Sequence, residues 1–144
     1  MASEAKLEVV SLGELIVEVM RVGVDQPLDR AAEFVGPFPS GAPAIFADQV
    51  ARLGHCTGFI GAVGKDDFGK CILDRFAADG VDARYVAQPE GYATGVAFVT
   101  YFSDGSRKFL YHIATAAAGQ MPEIDAEYVG QAKFLHICGS SLSV

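Results

Sequence analysis

The chain has 144 residues, 51% of them hydrophobic, with 11 Lys and Arg against 18 Asp and Glu for a net charge of −7. That is enough apolar sequence for one domain with a real core, and it excludes a disordered tail. The acidic balance excludes general binding to nucleic-acid backbones, which needs clustered cations, and no apolar stretch approaches membrane-spanning length, so neither nucleic acid nor membrane is an expected partner.

The opening MASEAKLEVV has an early acid and no apolar run behind a basic segment, which is not a secretory signal. From there the apolar pattern switches repeatedly between strand and helix periods, the mark of an α/β fold. Leu7 to Met20 is rich in Val, Ile and Leu and predicts one long first strand interrupted at Gly13. Within it Glu18 sits among Val17, Val19 and Met20. A buried carboxylate is costly unless hydrogen-bonded or paired, so Glu18 either faces water or has a polar partner. Residues 21–39 lack helical periodicity and carry Pro27, Pro37 and Pro39, which predicts extended segments and turns.

From Ala42 the pattern is helical, with Ala44, Ala47, Val50, Ala51 and Leu53 forming one face. Ser40 is the expected N-cap, Pro43 falls in the first turn and Gly54 past the end. At Ser40-Gly41-Ala42-Pro43 the glycine lets the backbone approach a ligand, and a helix N-terminus presents unpaired N–H donors; an ordinary capped helix start reads the same way. Thr57 to Val63 predicts a short buried strand. Asp66 to Asp79 predicts an amphipathic helix, with Phe68, Ile72 and Phe76 four residues apart and Gly80 closing it. Tyr85 to Ala87 reads as another short strand. Two β-rich runs, Thr94 to Tyr101 and Lys108 to Ile113, flank Ser103-Asp104-Gly105-Ser106, a hairpin signal. Pro122 opens a weaker helix through about Gln131, and Lys133 to Cys138 is a last apolar strand. A parallel strand is normally covered on both faces, so an end just past a strand reads as the end of a fragment.

Local motifs exclude more than they establish. Gly58-Phe59-Ile60-Gly61-Ala62-Val63-Gly64-Lys65 resembles a phosphate loop, but Phe59 stands where the first Gly is needed and Asp66 where Ser or Thr is needed. Its spacing is not GxGxxG either, leaving a strand that runs into a tight turn. Cys56, Cys71 and Cys138 are scattered without CxxC spacing, which predicts reduced, buried thiols in a cytoplasmic protein and no metal site. The aromatic hairpin reads equally as a flap over a ligand or as a plain sheet edge.

Taken in order, the segments resemble the ribokinase (PfkB) family of carbohydrate kinases. The resemblance rests on Gly13-Glu14, Ser40-Gly41-Ala42-Pro43-Ala44, Ala51-Arg52-Leu53-Gly54, Gly61-Ala62-Val63-Gly64-Lys65-Asp66-Asp67-Phe68-Gly69, Asp79-Gly80-Val81, and Ala93-Thr94-Gly95 with Asp104-Gly105-Ser106-Arg107. It covers nearly the whole chain. It implies a doubly wound, mostly parallel sheet with helices on both faces and a small β-sheet lid, built here from parts of 15–39 and from 94–113. Residues 1–144 would then be the N-terminal, substrate-binding part, with ATP, Mg²⁺ and the catalytic base served by a C-terminal part beyond Val144. By position, the resemblance puts Glu18 on sugar hydroxyls, Gly41 and Ala42 on the backbone that touches the sugar, Ala97, Leu110 and His112 on lid positions facing it, and Gly139 at the inner mouth of the pocket. It also implies a homodimer through the lid.

Two departures matter. Ser40 and Ile45 stand where the family often has Gly and Asn, and the chain contains no Asn. Kinases of 2-keto-3-deoxygluconate tend to carry Arg where His112 stands, so His112 favours a neutral ketose or aldose over a sugar acid. A sequence of this kind is also compatible with a non-catalytic sugar-binding or dimerisation module, or with an unrelated α/β domain of similar pattern.

Overall fold

A computed structural model describes residues 7–143. The signal-sequence reading rests largely on residues 1–6, outside the described residues. Val9–Leu12 (β1) and Ile16–Arg21 (β2) replace the single long strand expected from Leu7 to Met20. The break is steric and local. Gly13 has φ +153°, and a Cβ there would come within 2.1 Å of Ser141 Oγ, so the chain turns where only glycine fits. The two halves consequently enter different sheets.

The first sheet is parallel throughout and has the order β5-β4-β1-β8, with β4 at Thr57–Ala62, β5 at Asp82–Ala87 and β8 at Phe134–Ile137. β5 is thus longer than its sequence pattern indicated. All six residues of β4 are buried, as a central parallel strand requires. Ala42–Arg52 (α1) and Asp67–Asp79 (α2) cover one face and pack Ala44, Ala47, Ile72 and Phe76 against Phe59 and Val63. The other face carries Ala126–Gly130 (α3), whose buried Tyr128 packs on Val10, Leu12 and Ile60.

α3 is only five residues long, not the helix expected from Pro122 to Gln131. Asp125 caps it, accepting from Glu127 N and Tyr128 N, while its other oxygen accepts from the Tyr85 hydroxyl at 2.6 Å. That anchoring starts the helix at the cap and leaves 121–125 non-helical. Ser40 is likewise not the N-cap of α1. It ends the strand Phe34–Ser40 (β3), paired with Ile16, and Gly41 caps the helix without a side-chain bond. Leu53 lies past the last helical residue and is 77% exposed, so it leaves the buried face. The three cysteines are free, as expected, but half-buried and not buried.

The second sheet has the order β3-β2-β6-β7, with β6 at Gly95–Tyr101 and β7 at Arg107–His112. β6 and β7 form the expected hairpin, turning at Asp104-Gly105, where Gly105 has φ +83° and Asp104 accepts from Ser106 N. The two sheets are joined through Asp66. Its carboxylate caps α2 by accepting from Gly69 N at 2.8 Å and also takes Thr94 N at 2.7 Å and Thr94 Oγ1 at 2.6 Å. Thr94 Oγ1 accepts in turn from Gly64 N. Burial pushes the Asp66 carboxyl up, but the hydrogen bonds from Thr94, Gly69 and Phe68 outweigh it and hold the group below its ordinary value.

Between α1 and α2, Asp48 Oδ1 is shut off from solvent without a hydrogen-bond partner, and Asp79 Oδ2, shut off likewise, has only the Arg75 guanidinium at 3.5 Å. Burial first, then the adjacent Asp79 carboxyl, push Asp48 up to about 6 against the pull of Arg75 and Arg52. The ordinary value is 3.8, so the folded chain keeps a proton that the unfolded chain releases in this window. This contribution is complete below pH ~4 and lost as pH rises through ~6. Urea titrations from pH 4 to pH 8 should show that Asp48→Asn removes this loss and makes the chain more stable than wild type at neutral pH.

Candidate functional site

The two-residue period of β2 sends Val17 into the core beneath the helices and turns Ile16 and Glu18 toward a cleft between the second sheet and the start of α1. The cleft holds about 680 Å³, within the range of roughly 300–1,000 Å³ typical of small-molecule sites. One wall is Ser40, Gly41, Ala42 and Ile45. Gly41 has φ +106°, and a Cβ there would come within 2.4 Å of the Glu14 carbonyl oxygen, so the helix can start this close to β2 only with glycine. No side chain caps α1, which leaves first-turn N–H donors and the positive end of the helix dipole at the cleft.

Opposite α1 stands the hairpin, which contributes Tyr101, Arg107, Phe109, Tyr111 and Ile113. The Phe109 and Tyr111 rings lie nearly parallel, 5.3 Å apart, and the Arg107 guanidinium sits 5.5 Å from the Phe109 ring centre. At the inner end is Glu14, 5% exposed, which accepts from Ser140 Oγ at 2.7 Å and Ser141 Oγ at 2.5 Å. Glu14 thereby ties the link between β1 and β2 to a turn more than a hundred residues later. Ser140 and Ser143 of that segment also face the cleft.

The site residues expected from sequence are only partly brought together. Glu18, Gly41 and Ala42 line the cleft, and Glu18 is half-buried. Ala97 lies in the sheet between Glu18 and Tyr111 but is fully buried against Ile16 and Ala118, so it forms the floor beneath the lining. Leu110 and His112 do not face the cleft. β7 alternates, and with Phe109, Tyr111 and Ile113 turned inward, Leu110 and His112 take the opposite side, where His112 meets Phe98 edge-on. Gly139 is exposed and outside the lining, which its neighbour Ser140 enters instead. Arg107, Phe109 and Tyr111 line the cleft from the hairpin that sequence reasoning left open between a flap and a plain edge, whereas Glu14 is a lining carboxylate it missed. The argument applied to Glu18, a carboxylate inside an apolar run, holds equally for Glu14 and could have found it.

Comparisons with known proteins agree with this architecture. The family profile described as "pfkB family carbohydrate kinase" matches residues 6–144. Fructokinase-1 of Oryza sativa subsp. japonica is 35% identical over 99% of this chain and 44% of its own length. A 5-dehydro-2-deoxygluconokinase of Clostridium botulinum is 31% identical over 97% and 42%. Among solved structures, an E. coli protein described as "a putative Ribokinase II in complex with ATP and Mg+2" superposes with TM-score 0.90 at 44% identity, covering 96% of this chain and 44% of that one. A fructokinase of Halothermothrix orenii superposes with TM-score 0.83 at 25% identity, covering 91% and 46%. The chain thus spans less than half the length of the curated relatives it matches. The α/β architecture with a second small sheet, expected from the resemblance, is borne out.

Glu14 yields a direct test. Asp, Gln and Ala variants differ in what they leave for Ser140 and Ser141. Glu14→Ala strands two hydroxyls at the inner end of the cleft and should lower stability by about 1–3 kcal/mol in urea titration, with Glu14→Gln costing less because one amide oxygen still accepts.

Proposed function

This chain belongs to the pfkB family of carbohydrate kinases, and from that premise we propose that the whole protein carrying it transfers the γ-phosphoryl group of ATP to a sugar hydroxyl. In this reading residues 7–143 supply the sugar pocket and the second sheet is its lid. The observation that carries it is the cleft, where two carboxylates, an uncapped helix start and three serines converge under an aromatic wall. Carboxylates accept from sugar hydroxyls, backbone N–H groups donate to them, and Phe109 and Tyr111 cover an apolar sugar face. Glu18 would hold hydroxyls, with Gly41 and Ala42 bounding the ring. Glu14 would act through Ser140 and Ser141 by fixing the inner wall.

ATP and Mg²⁺ are proposed cofactors, in keeping with the family and with the ATP and Mg²⁺ complex of the E. coli relative. Among the described residues no three His, Cys, Asp or Glu side chains cluster to hold a metal. In this reading these residues serve the sugar, and neither the nucleotide nor the metal. Positioning and electrostatic stabilisation supply most of phosphoryl-transfer catalysis. This chain alone should accordingly bind sugar without turning it over. No helix of the described residues is long and apolar enough to cross a membrane, and a cytoplasmic location is part of the same proposal.

The neutral-sugar preference drawn from His112 loses its basis, because that side chain lies on the far side of the hairpin. Fructokinase relatives still support a ketose at the hydroxyl-reading end. An ADP-release assay over a panel of ketoses, aldoses and sugar acids tests the reading. The whole protein should show sugar-dependent turnover, and Glu18→Ala should lower kcat/KM by about tenfold or more, chiefly through KM. Sugar-dependent turnover by the 144-residue chain alone would falsify the division of labour.

Homodimerisation through the lid is a second proposal. Phe34, Val35, Phe38 and Leu110 of the second sheet are each at least 40% exposed, and β7 is an edge strand. Such an edge favours pairing with a second copy. Light scattering at micromolar concentration should give the mass of a dimer, and Leu110→Lys should return it to monomer.

A further inference from the structure

Resting on the sugar-pocket reading, we propose that Arg21 is a positioning residue for that pocket: its buried guanidinium folds residues 22–33 into a strut that holds the tip of the β6–β7 hairpin over the cleft. The first observation is a cation without a counterion. Arg21 ends β2, is 5% exposed, and makes no ion pair among the described residues. A buried charge of this kind is costly unless it is hydrogen-bonded. Its donors go to backbone carbonyls, from Nη1 to Ala32 O at 2.7 Å and from Nη2 to Pro27 O at 3.0 Å and to Arg30 O. The guanidinium carbon also lies 4.0 Å from the centre of the Phe34 ring. Nε is shut off from solvent without a partner, so the segment closes over this group even at the cost of one donor.

The second observation is what those carbonyls belong to. Residues 22–33 link β2 to β3 without helix or strand, and most of them are exposed. Such a segment buries too little apolar surface to fix its own shape, and its backbone groups need partners. One planar fork supplies three carbonyls at once, which the point charge of a lysine does not match. Folded in this way, the segment reaches the hairpin. Asp25 N donates to Tyr101 O at 3.0 Å, the Asp25 carboxylate accepts from Ser103 N at 3.0 Å, and Thr100 Oγ1 donates to Gln26 O at 2.7 Å. Tyr101 and Arg107 are paired at that same end of the hairpin, and both line the cleft. β7 is an edge strand, so no further strand of this sheet steadies the tip from its side. The strut on the β6 side therefore sets where Tyr101 and Arg107 stand over a bound sugar, and it does so before the sugar arrives. A wall ordered in advance loses less freedom on binding.

Amide hydrogen exchange and steady-state kinetics with D-fructose, on the whole protein carrying this chain, test the assignment for wild type, Arg21→Met, Arg21→Lys and Asp25→Gly. Arg21→Met keeps the length of the side chain and removes its donors. Asp25→Gly removes the carboxylate that holds Ser103, at a φ of +61° that glycine adopts freely, and leaves the guanidinium in place. In Arg21→Met the amides of Asp25 and Ser103 should exchange about tenfold or more faster, with those of β4 unchanged. KM for D-fructose should rise about fivefold or more at nearly constant kcat. Arg21→Lys should recover part of both effects. Asp25→Gly should free Ser103 while Val22, bonded to Glu33 at the base of the segment, stays protected. Ser103 exchange unmoved by Arg21→Met would overturn the strut, as would an equal acceleration in β4, which marks a global loss of stability. Faster exchange with KM unchanged would overturn its part in sugar binding. Should Arg21→Met not fold, Arg21→Lys and Asp25→Gly decide by the same readouts. No turnover of D-fructose by wild type would overturn the ketose reading of the pocket, with the exchange rates still deciding the strut.

Discussion

Everything that gives this chain a cleft hangs on the carboxylate of Asp66. It takes hydrogen bonds from the start of α2 and from both the backbone and the hydroxyl of Thr94, and Thr94 in turn holds Gly64 at the end of the central sheet. Thr94 immediately precedes β6, so this one side chain fixes where the second sheet leaves the first. An ionised carboxylate satisfied this fully is far cheaper to bury than an unpaired one, and its bonds have fixed directions. Gly64 and Gly69 complete the arrangement by omission. A Cβ on Gly64 would lie 2.6 Å from Thr94 N, and one on Gly69 would lie 2.2 Å from the Gly64 carbonyl oxygen. The stretch Gly64-Lys65-Asp66-Asp67-Phe68-Gly69, which begins at the end of the run that fails as a phosphate loop, is a clip between two sheets.

Given that clip, the character of the cleft follows from strand alternation. β2 belongs to the second sheet yet runs beside the first, burying Val17 under α2 while presenting Ile16 and Glu18 to the opening. The same alternation on β7 turns Arg107, Phe109 and Tyr111 inward together. Acidic groups end up near the α1 N-terminus, where the helix dipole favours negative charge. The cation ends up near the hairpin tip. Neither end was assembled by a contiguous motif; each is the product of two sheets held at one angle.

Much of the fold was legible beforehand. α2 was bounded to within a residue, because Asp66, Gly80 and the spacing of Phe68, Ile72 and Phe76 act within the helix itself. The hairpin and β4 were equally plain, through Asp104-Gly105 and an unbroken buried run. α3 was overextended, since Pro122 permits a helix start but the Tyr85–Asp125 contact, forty residues apart, places the actual one. Ser40 was misread for a similar reason, as its backbone is taken by pairing with Ile16.

The site divides along the same line. Sequence alone determined the α/β alternation, the glycines at 13 and 41, and the presence of Glu18 in an apolar run, because these depend on local sterics and on the cost of burying charge. It also determined that Leu110 and His112 share one face of β7 and that Arg107, Phe109 and Tyr111 share the other, because the period of a strand is two. Which of those faces looks into the cleft was decided only by tertiary structure. Local residues carry no information on which side of a two-sided strand a distant helix will lie; that depends on contacts between residues far apart in the chain, such as Asp66 with Thr94, 28 positions on.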